Sequence, residues 1–250
     1  MRRFLASLVS LAIIALALPM GSRAQQSKPI PRTSDGKPDF TGIWNIPRSE
    51  MPSRVRFGTE DPPLFGEALE LYQYNREGLD DPNEGGLDDR DPITYCYPIG
   101  PTRFYTLPRP FMFVNSPGLI LWLSEWDHTV RRIYTDGRGH PDGYPMVWQG
   151  HSIGRWDGDT LVVDTTNVRT GSWVDNLGTP HSEDLHIVER ITRLDYDTLE
   201  IDVRFDDPKS FTKPWGGKKM FEFKPDFEIL DDVNCEEFLQ MGKPRGLDGY

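Results

Sequence analysis

Asp157 and Gly158 lie between two runs of β-branched and apolar residues, and this dipeptide constrains the fold more than any other feature of the chain. A type I′ turn needs positive φ at both of its central positions, and Asp-Gly is one of the pairs that accept this backbone. Such a turn joins two antiparallel strands directly. The sequence therefore predicts a β-hairpin with strands at 151–156 and 159–166.

The predicted turn also fixes which residues face each other across the hairpin. The expected pairs are Trp156 with Asp159, Arg155 with Thr160, Ile153 with Val162, and His151 with Asp164. A carboxylate that orients an imidazole raises its basicity, which is what a general base requires. His151 and Asp164 are therefore a candidate catalytic pair, and the alternative is a polar pair on the outside of the sheet.

The two faces of this hairpin differ in polarity. The face opposite to His151 carries Gly154, Trp156, Leu161 and Val163 and is the more apolar one. Burial of that face would leave His151 outside, so the catalytic interpretation requires a polar-lined cavity inside the fold.

Short β-type runs between turn signals indicate about nine strands. They are 40–46, 111–115, 119–125, 128–135, 151–156, 159–166, 185–193, 198–206 and 219–224. Short connections favour antiparallel neighbours, and closing the sheet removes its exposed edges. The prediction is a mainly β protein built as a single antiparallel barrel with long loops.

The segments before and within this barrel have a different composition. Residues 25–39 are polar and Pro-rich and indicate an extended arm. The domain then covers 40–250, with an insertion at about 47–110 that contains one predicted helix, 64–76, ended by Gly78.

The N-terminus has the pattern of a secretory signal peptide over residues 1–24. Arg2 and Arg3 precede an apolar run from 4 to 18, and cleavage is expected near Ala24. The run is too short for a membrane span, so a periplasmic or secreted protein without a span is predicted. Cleavage leaves 25 basic against 39 acidic residues, a net charge of about −14, which argues against nucleic acid as a partner.

The chain has two cysteines, Cys96 and Cys235. In an oxidising compartment the simplest expectation is one disulfide, and two free thiols are the alternative.

Several longer motifs carry a resemblance to known families. Gly42-Ile43-Trp44 resembles the Gly-x-Trp of lipocalin-type calycin barrels. Residues 33–44 (TSDGKPDFTGIW), 132–138 (RIYTDGR), 154–163 (GRWDGDTLVV) and 181–183 (HSE) are similar to a family of exported bacterial proteins. The resemblance implies export and a single calycin-like β domain, and it transfers no catalytic residue.

Two further clusters contain residue types used in catalysis. A tight turn near Trp126-Asp127 would place His128 beside Glu125 and Arg131 beside Trp122, which suits an anionic or aromatic ligand. Solvated charge at a strand end is the alternative.

The second cluster is His181, Glu183 and His186. His181 and Glu183 are a candidate acid/base pair, and all three residues are possible metal ligands, although their spacing is not that of a helical metal motif. A turn held by side-chain to backbone hydrogen bonds is the alternative.

Neither a phosphate loop nor a dinucleotide motif is present, so no cofactor is expected. The favoured hypothesis is an exported acid/base enzyme, a lyase, isomerase or hydratase, that acts on a hydrophobic or aromatic small molecule in a barrel cavity. The alternatives are a non-catalytic binding protein for an apolar ligand and, less favoured, a metal-dependent enzyme. The oligomeric state is left open.

Overall fold

A computed structural model describes residues 28–79, 90–230 and Cys235. The predicted signal peptide lies outside the described residues. Among the helices of the described part, none combines the length and the apolar character needed to cross a bilayer.

Nine strands form one closed barrel, in which each strand pairs with the next along the chain and the last pairs with the first. The strands are β1 (Gly42–Asn45), β2 (Phe111–Ser116), β3 (Leu119–Ser124), β4 (Val130–Tyr134), β5 (His151–Asp157), β6 (Thr160–Thr166), β7 (His186–Arg193), β8 (Thr198–Asp206) and β9 (Trp215–Phe223). The predicted single mainly β barrel is confirmed.

One pair of neighbours departs from the antiparallel prediction. β4 and β5 are parallel, with Ile133 opposite Ser152. Parallel neighbours require a long connection, and residues 135–150 supply it. This connection folds back over the outside of the barrel.

The insertion before β2 contains the helix α1 (Gly66–Glu77) and the 3₁₀ turns Arg48–Ser53, Pro92–Tyr95 and Arg103–Tyr105. α1 confirms the predicted helix, with boundaries shifted by one or two residues and Gly78 as its C-cap. A fourth 3₁₀ turn, Trp126–His128, joins β3 to β4.

Aromatic side chains fill the inside of the barrel. Trp122 of β3 contacts Phe111 and Phe113 of β2 at ring distances of 4.8 and 5.1 Å. Tyr105, which belongs to the insertion, packs on Trp122 at 4.6 Å and on Phe221 of β9 at 6.0 Å. Large rings contribute much of the burial energy of a core. The interior is therefore a packed core closed by the insertion.

The hairpin between β5 and β6 exists, but its predicted register was wrong by two residues. Asp157 pairs with Thr160, so the turn residues are Gly158 and Asp159, and His151 lies opposite Thr166. Gly158 has a φ of 61° at the first turn position, which is the requirement of a type II′ turn. Because side chains alternate with a period of two, the shift leaves His151 and Asp164 on the same face.

Cys96 and Cys235 form a disulfide with their Cα atoms 5.6 Å apart, which confirms the predicted pairing. The bond ties the insertion to the C-terminal segment. It closes a loop of 139 residues, which restricts the unfolded chain strongly.

Candidate functional site

A chain of hydrogen bonds runs from Asp164 through His140 to His151 on the outer face of β5 and β6. Nε2 of His140 is 3.0 Å from Oδ1 of Asp164, and Nδ1 of His140 is 2.7 Å from Nδ1 of His151. His140 therefore lies between the two residues that the sequence pairs directly. Asp164 itself is opposite Ile153 in the sheet.

His140 reaches this position because the connection between β4 and β5 is tied to the end of β6. The backbone N–H of Val147 donates to Asn167 at 3.0 Å, and the Asn167 side chain donates to the carbonyl of Tyr144 at 2.8 Å. Sequence reasoning missed His140, since its glycine-rich neighbourhood is typical of an ordinary loop. The only signal in the sequence was a histidine within the long segment between the predicted strands 128–135 and 151–156.

His186, at the start of β7, is the second partner of Asp164. Its Nε2 lies 3.0 Å from the same oxygen, Oδ1. The hydrogen bond from His186 and a second one from His140 hold the pKa of Asp164 below its usual value despite its partial burial. The hydrogen bond to Asp164 in turn raises the pKa of His186.

The bonding pattern determines which nitrogen of each ring carries a hydrogen. The Asp164 carboxylate only accepts, so Nε2 of His140 donates to it. Nδ1 of a neutral His140 then accepts a hydrogen bond from Nδ1–H of His151. This leaves Nε2 of His151 with its lone pair, and no hydrogen-bond partner is found for that atom within the described part of the chain.

His151 is only 4% exposed, and two tyrosines hold its ring. Tyr134 stacks on the imidazole at 5.4 Å between centroids, and Tyr144 meets it edge-on at 4.7 Å. Burial, and then the neighbouring His140, lower the pKa of His151 below its ordinary value. The imidazole is therefore neutral and able to accept a proton at neutral pH.

A cleft of about 550 Å³ opens beside His151. Tyr134, Tyr144 and Trp148 line it, together with the exposed Arg132. Arg132 forms no ion pair with an acidic group in the described ranges. The cleft thus combines a base, aromatic rings and a guanidinium, with the Asp127 carboxylate elsewhere in the lining. The rings and the guanidinium suit a planar molecule with an anionic group.

Arg131 was predicted to hold an anionic ligand and instead belongs to the core of the barrel. Its pairing with Trp122 across β3 and β4 is as predicted. Both Arg131 and Glu189 are fully buried and form a bidentate ion pair. The Tyr105 hydroxyl donates to Glu189 as well, so the partner of Arg131 is an internal carboxylate and not a ligand.

His128 lies apart from the hydrogen-bonded cluster. It ends the 3₁₀ turn after β3, is exposed, and is not among the residues that line the His151 cleft. Its φ of 48° belongs to the tight connection at this point. Glu125, expected beside it, is buried and lies 3.7 Å from Arg109.

His181, Glu183 and His186 do not converge. His181 bonds to Ser172 and to the Ser182 carbonyl, His186 bonds to Asp164, and Glu183 is exposed. In the described ranges, no group of three His, Cys, Asp or Glu side chains is placed to hold a metal ion.

Comparisons of the chain with protein-family models, with curated proteins and with solved structures return no match.

Proposed function

We propose that this protein is an acid/base enzyme of the lyase or isomerase type, with His151 as the general base. The observation that carries the proposal is that His151 lines the cleft while its Nδ1 is bonded to His140, which leaves Nε2 as the acceptor nitrogen. A catalytic base needs a fixed tautomer and an accessible lone pair. The bonding described above fixes the tautomer, and the position of His151 in the lining of the cleft supports access to the lone pair.

The hydrogen-bonded relay of His151, His140 and Asp164 can also accommodate the proton taken from a substrate. When Nε2 of His151 takes a proton from a substrate carbon, the imidazole becomes a cation. Transfer of the Nδ1 proton to His140 moves this charge to a ring that is 3.0 Å from the Asp164 carboxylate. An adjacent carboxylate stabilises an imidazolium, which lowers the barrier to proton abstraction.

The lining of the cleft supports a hydrophobic or aromatic substrate with an anionic group. Tyr134, Tyr144 and Trp148 offer ring faces, and Arg132 offers a guanidinium. We therefore assign the proposed reaction to the outside of the barrel, because the inside is filled by Trp122, Tyr105 and their neighbours.

Export remains part of the proposal. It rests on the pattern of residues 1–24, and the disulfide between Cys96 and Cys235 supports it because such bonds persist in oxidising compartments.

A model reaction tests His151 as a base without knowledge of the natural substrate. With 5-nitrobenzisoxazole, a base removes the C3 proton, the N–O bond breaks, and a nitrile and a phenolate form, which absorbance detects. The wild-type protein should react about 100-fold faster than H151Q, in line with one general base. H140Q should also be slower, and H128Q, a histidine outside the cleft, should match the wild type.

Equal rates for the wild type and H151Q between pH 6 and 9 would overturn the role of His151. The same cleft also suits a non-catalytic binding protein. Quenching of Trp148 fluorescence by 4-nitrobenzoate, lost in R132Q, together with no difference in the elimination rates, would favour binding without turnover.

A further inference from the structure

A second cleft, of about 540 Å³, lies between α1 and residues 170–181. Leu71 and Tyr74 of α1 form part of its wall, and Trp173 forms another part. Ser172 and His181 line the same cleft and contact each other. Neither residue lines the cleft beside His151, so the two sites are separate.

The hydrogen bonds of His181 determine its tautomer. Nδ1 lies 2.9 Å from the backbone oxygen of Ser182. A carbonyl oxygen only accepts, so Nδ1 carries the hydrogen and Nε2 has the lone pair. Nε2 is 3.2 Å from Oγ of Ser172, and the Ser172 hydroxyl therefore donates to it.

We propose that Ser172 and His181 form a nucleophile and base pair that transfers the acyl group of small esters. The arrangement meets the geometric requirement for an activated serine, a hydroxyl within hydrogen-bond distance of an imidazole that a third group orients. Here the third group is the Ser182 carbonyl in place of a carboxylate.

The reaction has two balanced steps. In the first, Oγ of Ser172 bonds to the ester carbonyl carbon, its proton passes to Nε2 of His181, and the ester C–O bond breaks as that proton moves to the leaving alkoxide. In the second, water attacks the acyl-serine through the same base, releasing the carboxylic acid and restoring Ser172.

Three features of the surroundings favour this chemistry. Burial lowers the pKa of His181, so its ring is neutral at neutral pH and its Nε2 lone pair is unprotonated. Arg90 lines the cleft and adds a positive charge to it, and its guanidinium is held there by the carbonyl oxygen and the ring of Tyr74. The lack of a side chain at Gly100 leaves space for the Ser172 hydroxyl, because a Cβ at Gly100 would lie 2.8 Å from Oγ of Ser172.

A covalent labelling experiment in the full chain tests the proposal without an ester substrate. A fluorophosphonate probe should attach to Ser172 as the P–F bond breaks and fluoride leaves, and peptide mass spectrometry should locate one adduct there. S172A should abolish the adduct. H181Q should slow labelling by at least about 100-fold, because the base is lost.

The matched control is S116A, which removes an exposed serine that has no histidine partner within the described residues. It should label as the wild type does, and p-nitrophenyl acetate hydrolysis should follow the same order of variants. Should H181Q fail to fold, S172A alone decides, since it removes a single oxygen. Absence of an adduct on Ser172, or unchanged labelling in S172A, would overturn the proposal.

Discussion

Nδ1 of His140 lies 2.7 Å from Nδ1 of His151, so one of these two imidazoles donates a hydrogen bond and the other accepts it. Since His140 also donates to Asp164, His151 is the donor when both rings are neutral. The direction of this one hydrogen bond decides that Nε2 of His151 carries the lone pair. Through His140, the Asp164 carboxylate on β6 is linked to His151, which it does not contact directly.

The first prediction concerns the pKa of His151. His140 contributes to lowering it, after burial, so H140L should raise the pKa of His151 toward its ordinary value. Nitrogen-15 NMR of the histidine rings measures this directly and should also show Nδ1 as the protonated nitrogen in the wild type. A fall in the pKa, or protonation at Nε2 in the neutral ring, would contradict the relay.

The second prediction concerns the pH dependence that the Asp164 and His186 pair gives to stability. The pKa of His186 is raised, so its contribution is present below the unfolded pKa of about 6.5 and disappears as the pH rises through the folded value. The pKa of Asp164 is lowered, so its contribution disappears in acid. The pair therefore stabilises the fold mainly between about pH 4 and 6.5.

H186Q should lower the free energy of unfolding by about 0.5 kcal/mol at pH 5.5, because both side chains are about 40% exposed and water weakens the pair. At pH 9 the difference should be close to zero. Urea unfolding across this range measures it. R190Q, which breaks the exposed pair with Asp157 and involves no histidine, is the control, and a pH-independent effect of H186Q would contradict the assignment.

The third prediction concerns the buried pair in the barrel. Removing one partner leaves an uncompensated charge, so R131M and E189L should each cost about 3–5 kcal/mol of unfolding free energy. The double variant should cost far less than the sum, because neither charge remains. Urea denaturation of the four proteins gives the coupling, and additive losses would show that the pair is not a unit.

The sequence predicts the fold of this protein better than it predicts the candidate site. Alternating apolar side chains and turn residues carry enough local information to predict the barrel, the helix α1 and the buried face with Leu161 and Val163. The register of the β5 and β6 hairpin was harder to predict, because Gly158 satisfies either of two turn types.

The candidate site was less predictable because it depends on contacts between distant segments. His140 reaches Asp164 only through the fold of a long connection, and Ser172 meets His181 across a loop. Arg131 has its predicted neighbour on β3, yet its main partner is Glu189, 58 residues further along the chain. The alternation of residues within a strand shows on which face of the sheet a side chain lies. It does not show which residue of another strand contacts that side chain.

The last prediction concerns Lys219 of β9, whose Nζ lies 3.0 Å from the carbonyl oxygens of Ser53 and Arg54. The side chain is 9% exposed, and burial lowers its pKa to about 8. Between this value and the unfolded pKa of about 10.4, the unfolded chain binds more protons, so stability rises with pH. Relative to K219M, the wild type should therefore gain about 1 kcal/mol of unfolding free energy from pH 7 to 9.

The control is K218M, which changes the exposed neighbouring lysine, whose pKa is raised by Glu200. Relative to K218M, the wild type should show no such gain. A constant difference between the wild type and K219M at both pH values would mean that the Lys219 amine stays charged in the folded protein.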